Sequence, residues 1–228
     1  MRTFGNDKNY AVWDVEITAT FLQERTTGTT FPINPDEVKP RYLKAVKEKK
    51  SRTDKKAEVF TPYELVKIMN DMLDIDFKGS RADYIKRAVI EVTCGEAPYL
   101  TTRYDATTGK DILIADRIGL LDRKLSCIPA SVGKAGYEEC VTEALKASYG
   151  YEWQFDSIYL ARRNMLLTVI EHYVDRFGTE PDKDKVKEWA YIISYNIFRM
   201  DGVTKCIPET KIPAKVMNWT TGKMELMN

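Results

Sequence analysis

Apolar positions along the chain switch between helical and strand periods. In AEVFTPYELVKIMNDMLDI, Val66, Met69 and Leu73 recur at helical spacing and mark one apolar face. Thr61 suits an N-cap, Pro62 the first helical position, and Glu64 completes a capping box, so a helix is predicted to start there. Residues 81–88 read as a short helix running into Ala88-Val89-Ile90-Glu91-Val92-Thr93-Cys94, an almost unbroken β-branched run. Such a run suits a strand of a parallel sheet covered on both faces. Gly95-Glu96-Ala97-Pro98 is a tight turn. Residues 137–147 predict a helix and Ser148 to Trp153 a second strand. From Asp156, placed as an N-cap, to Phe177, the residues Ile158, Ala161, Met165, Val169 and Tyr173 line a helix that Gly178 ends. Asp182 caps a further helix with Val186, Trp189, Ala190 and Ile193 on one face. Tyr195 to Gly202 predicts a third strand ending in an acid, and Lys215 to Met227 a hairpin around Thr221-Gly222. DILIADRIGLLDRKL, within the loop-rich stretch 101–136, fits a strand or a helix.

The alternation of helix and strand points to an α/β fold, a doubly wound, Rossmann-like parallel sheet over residues 57–228, preceded by an N-terminal arm over 1–56. Ligands of such sheets bind outside the carboxyl ends of the strands. Standing there are Thr93-Cys94-Gly95, Glu152-Trp153 and Asp201-Gly202. An acid at the end of a second strand commonly bonds ribose hydroxyls, and an aromatic beside it stacks on adenine.

Charge changes this picture in one place. Lys plus Arg number 35 and Asp plus Glu 34, so the whole chain, at +1, makes no case for nucleic acid. Residues 39–56, however, hold nine cations against Glu48 and Asp54, a local +7 on a predicted charged helix over 36–50 and the loop after it. This is either a solvated surface or a contact to the phosphates of double-stranded DNA through Lys47, Lys49, Lys50 and Arg52. The four cysteines show no C-x-x-C spacing and the chain has a single histidine, His172, which argues against a zinc site. His172 reads as an ordinary helix residue. No run of 18 apolar residues predicts a membrane helix, and the absence of export signals predicts reduced thiols in a cytoplasm.

Several of these stretches, in order, resemble the N-terminal part of gamma-type adenine-N6 DNA methyltransferases of bacterial restriction–modification systems. Glu58-Val59-Phe60-Thr61-Pro62 resembles the family's opening motif. Val89 to Leu100, with Cys94-Gly95-Glu96-Ala97-Pro98-Tyr99-Leu100, resembles its cofactor loop. Tyr149-Gly150-Tyr151-Glu152-Trp153 resembles the second-strand motif, and Asn196-Ile197 with Asp201-Gly202 the third. CGEAPYL and YGYEW are similar to forms in proteins labelled restriction endonuclease subunit M. The resemblance implies S-adenosylmethionine as cofactor. Phe60, Thr61 and Pro62 would lie at its methionine end, with Glu91, Thr93, Cys94, Gly95 and Glu96 in the loop. Glu152 would meet the ribose and Asp201 the adenine, with Trp153 the aromatic beside Glu152. Ala97 replaces a loop glycine, and the segment 101–136 reads as an insertion. The family's catalytic Asn-Pro-Pro-aromatic motif is absent: the chain has nine prolines and no two are adjacent. That motif holds the flipped adenine. The resemblance therefore implies a partial or truncated Rossmann-like sheet, the cofactor half of a split methyltransferase, inactive alone, whose catalytic motif a second chain supplies. The alternative is a non-catalytic cofactor- or DNA-binding accessory of a restriction or antirestriction system.

Overall fold

The computed structural model describes residues 10–56 and 61–227; Phe60 lies outside them. Three parallel strands stand in the order β1 (Val89–Glu91), β2 (Ser148–Glu152), β3 (Ile197–Arg199). Val89 pairs with Ser148, and Gly150 with both Glu91 and Ile197. The strands are shorter than the apolar runs predict. At Thr93 the backbone turns left-handed, with φ +48°, and leads the chain out of the sheet.

Register partners in a parallel sheet point the same way, so one face carries Val89, Ser148, Gly150 and Ile197 and the other Ile90, Tyr149, Tyr151 and Phe198. The first face meets the main core. It is built by α1 (Val15–Phe21), α4 (Arg81–Lys86), α5 (Leu120–Ser126), α6 (Lys134–Lys146), α7 (Phe155–Phe177) and α8 (Lys183–Asn196). Strand order equal to chain order, with right-handed crossovers, places both connections on this one side. The expected second winding is not found among the described residues. A smaller core lies on the other face, where Tyr151, Phe198 and Met200 pack on Ile207, Ala214 and Val216. The hairpin β4 (Lys215–Asn218) and β5 (Lys223–Leu226) forms as expected, with Gly222 left-handed in its turn. Tyr149 Oη donates to the Met217 carbonyl, which holds this segment over β2.

The residues read as an arm share the main core: Ile17, Phe21, Phe31 and Val38 are all buried in it. Arg162 of α7 is fully buried and ties them down. It donates to the carbonyls of Phe21, Gln23, Ser194 and Ile197 at 2.7–2.9 Å. Lys124 plays a similar part at the amino ends of β1 and β2. It donates to the Arg87 and Ala147 carbonyls and Ser148 Oγ, and burial lowers its pKa to about 7.

Three helix starts differ from expectation, and at one of them a distant residue supplies the cap. The basic helix is α2 (Val46–Lys56), later than predicted. α3 (Tyr63–Ile75) has Pro62 itself at the N-cap without a capping side chain, and the Tyr63 N–H bonds Asp105 Oδ2 at 3.0 Å instead. A capping box does form, but at Ser80 and Asp83 of α4. α7 starts after Gln154, and Gly178 ends it at φ +69° as its position suggests. No helix of the described residues is long and apolar enough to cross a membrane.

Candidate cofactor rim at the carboxyl ends of the strands

β1, β2 and β3 bring Glu91, the Thr93–Ala97 loop, Glu152 with Trp153, and Asp201 to one rim. The loop is made of tight, alternating turns: Thr93, Gly95 and Ala97 have φ +48°, +54° and +62°. Only Gly95 adopts this region without steric cost. Ala97 is completely buried, so its methyl group is part of the packing that holds the strained conformation. The loop also lies hard against β2. A Cβ added at Gly150 would meet Cys94 Sγ and Ile197 Cδ1, each at 3.1 Å. Glycine at the centre of β2 thus lets the Thr93–Ala97 loop reach its seat.

The acids differ in their surroundings. Glu152 accepts the Gly95 N–H on Oε2 at 2.9 Å, and the Trp153 and Gln154 N–H groups on Oε1 at 2.7 and 3.1 Å. It is a clasp between the end of β2 and the loop. Glu91 is buried, and its oxygens accept the N–H groups of Tyr99 and Leu100 at 3.3 and 3.0 Å. Burial raises its pKa to about 8 in spite of those two bonds. Burial likewise drives the Cys94 thiol well above its ordinary value. Asp201 accepts the Val203 and Thr204 N–H groups, which lower its pKa, and Trp153 is partly exposed beside Glu152. Tyr99 Oη lies 3.4 Å from Thr61 Oγ1, which brings the start of α3 to the same rim. Pro62 is next to it, at the helix cap.

Two groups of expected site residues stand elsewhere. The Glu96 side chain turns inward and is 2% exposed. It accepts the Arg41 N–H at 2.6 Å and Tyr104 Oη at 2.7 Å, while Asn164 Nδ2 bonds its carbonyl. That carboxylate binds the loop to the body, leaving it no side-chain role at the rim. The basic segment is divided. Arg52 forms a two-pronged pair with Asp156 at 2.8 and 3.1 Å, joined by Lys44 at 3.0 Å. Burial would raise the Asp156 pKa, but the two cations hold it below the ordinary range. Lys49 donates to the Tyr42 carbonyl, whereas Lys47 and Lys50 point to solvent. The expected four-residue DNA patch is thereby reduced to Lys47 and Lys50, because Asp156, 104 positions from Arg52, draws Arg52 inward. Asp156 itself, expected as an N-cap, is this anchor instead.

Sequence reading missed a polar cluster behind the loop. Arg103 and Arg117 both pair with Glu171 at 2.6 Å, and His172 Nε2 lies 3.0 Å from Asp122 Oδ1. Burial opposes ionisation of Glu171, but the two guanidinium groups hold its pKa down. A cavity of about 750 Å³ borders Tyr10, Arg103, Asp111, Arg117, His172 and Arg176, and none of the rim residues lines it. Nothing in local sequence marks this cluster, since its members are joined only by the fold. No group of three or more metal-ligating side chains occurs among the described residues.

The chain matches no protein-family model, no curated protein and no solved structure.

Proposed function

We propose that this chain is the S-adenosylmethionine-binding half of a split adenine-N6 DNA methyltransferase. The observation that carries the reading is the meeting of the strand ends: a left-handed loop after β1, a carboxylate after β2 and another after β3, in the order the resemblance requires. The residues fit the cofactor in kind. Thr61 and the Gly95 turn would face its methionine end, Glu152 the ribose, Trp153 and Asp201 the adenine. When bound, the cofactor supplies an electrophilic methyl group. This chain's own part is to hold and orient it, and a second chain brings the Asn-Pro-Pro-aromatic motif and the duplex DNA. Contact of this half with DNA rests on Lys47 and Lys50 and is weak and salt-sensitive.

The Gly95–Glu152 bond makes a specific demand. A ribose that takes Glu152 must share or displace the Gly95 N–H, so cofactor binding and loop position are coupled. Titration calorimetry of the purified chain with S-adenosylmethionine is expected to give a saturable heat. Glu152→Ala should weaken binding by ~1.5–3 kcal/mol, the worth of a charge-assisted hydrogen bond. Absence of heat at millimolar ligand, with and without the partner chain, would overturn the reading.

A further inference from the structure

β1 is an edge strand, bonded to β2 on one side and to no strand of the described residues on the other. It runs parallel to β2, and parallel strands are normally covered on both faces. The segment after β3 covers β2 and β3 on the face away from the helices, but it stops short of β1. Ile90, which points to that face, is 45% exposed, and Val92, just past the strand, is 59% exposed.

α3 is tied to residues on either side of this open strand. Near its end, Arg87, two residues before β1, donates to the Leu73 carbonyl and pairs with Asp74 at 2.9 Å. Nearer its start, Tyr99, which bonds Glu91 at the end of β1, donates to Met69 Sδ. The helix is attached by its polar side. Asp71 and Asp74 pair with Arg123 at 2.6 and 2.8 Å, and Asn70 bonds the carbonyls of Tyr99 and Ile118. Leu65, Ile68, Met72 and Ile75 fall on the opposite side, Met69 and Leu73 stand at its margin, and all six are exposed. Ile90 and Val92 add two more exposed apolar side chains. Clustered exposed apolar residues of this kind mark interaction surfaces, whereas singly scattered ones do not.

We propose that the open edge of β1 and the outer face of α3 form one docking surface for a different polypeptide. That partner adds a strand parallel to β1 and lays an apolar helix over Ile90, Val92 and α3. A second copy of this chain fits less well. A two-fold axis through the β1 edge would pair the strands but leave both copies' Ile90 and Val92 facing solvent. A membrane surface fits less well too, because interfacial helices carry Lys and Arg beside the apolar face, whereas α3 carries Glu64, Asp71 and Asp74 against Lys67. Identifying the partner as the carrier of the catalytic motif rests on the proposed function; the surface itself does not.

The test places a photo-crosslinking phenylalanine analogue at position 72 or 90 of the full chain, in the cells that make it. Both positions are expected to capture one and the same polypeptide of different sequence. Once purified, that polypeptide should slow amide exchange at 63–75 and 89–93. Met72→Glu with Ile90→Glu should weaken its binding by roughly 1,000-fold, two hot-spot truncations' worth, with the thermal midpoint unchanged. An adduct of two copies of this chain, adducts differing between the two positions, no adduct, or binding indifferent to the double substitution would each overturn the proposal. Calorimetry with S-adenosylmethionine is read separately. Docking without cofactor binding refutes the proposed function alone, and cofactor binding without docking refutes this inference alone.

Discussion

α7 and α3 are both amphipathic by sequence, yet the body treats them in opposite ways. α7 is buried through most of its length, and several of its buried polar side chains are met individually. Arg162 has four carbonyls, Asn164 the Glu96 carbonyl, Glu171 two arginines and His172 the Asp122 carboxylate. α3 is held by Asn70, Asp71 and Asp74 and shows its apolar side to solvent. One region is finished by the chain's own residues; the other keeps an apolar side exposed. A periodic pattern thus tells that a helix has two sides but not which side the body takes. Where ion pairs and carbonyls secure the polar side, the apolar side is left exposed.

The comparison breaks most visibly at Arg162. If α7 is the completed region, its buried cation must matter to the whole fold, because it joins the amino-terminal segment to the start of β3. Arg162→Met leaves four carbonyls without their donor and should cost roughly 3–5 kcal/mol, read as a lower urea midpoint with an unchanged slope. A loss below about 1 kcal/mol would mean that water or neighbouring groups replace it, and that the core is less complete than its bonds suggest.

These two helices also mark what was legible from residues alone. The placement of α4, α6, α7, α8 and the hairpin followed from period, caps and glycine, all local signals. The rim was legible too, because strand ends and their acids are adjacent in sequence. Val66, Met69 and Leu73 read as one inward stripe, but only Val66 is buried. The helix is rotated by its bonds to Arg123 and to the Tyr99 and Ile118 carbonyls, all far along the chain. Arg52 and Glu96 changed roles for the same reason: Asp156 and Tyr104 reach them only after folding. The second winding of the sheet was inferred from the rhythm of elements, which is blind to whether later strands follow.

Glu91 stands where the finished and open regions meet, and its titration tests how dry that boundary is. Its pKa rises from the ordinary 4.5 to about 8 on folding, mainly through burial. The folded state therefore holds a proton that the unfolded state releases between those values. Stability from this group is fully present below pH 4.5 and is lost as pH rises toward 8, with a slope near 1.4 kcal/mol per pH unit inside the window. Glu91→Gln cannot titrate and should flatten that decline in denaturation series taken from pH 5 to 8. An unchanged slope in the variant would show that water already reaches Glu91 from the open edge of β1.

The smallest effect is the most discriminating, because it is made within one helix. Val66 is 1% exposed and Met72 64% exposed, although both are apolar and six positions apart. If the polar side of α3 is the attached one, Val66→Ala removes buried methyl groups and should cost about 1–2 kcal/mol. Met72→Lys and Ile75→Lys touch nothing that folding buries. They lie in the last turn and next to it, where cations are favoured by the helix dipole, so stability should stay within about 0.5 kcal/mol of wild type. Solubility of the isolated chain should rise, since an apolar patch is broken. The opposite ranking, with Met72→Lys the costlier change, would mean that α3 turns its apolar face to the body in solution. The open edge of β1 would then have a cover within this chain, and the contrast between the two helices would disappear.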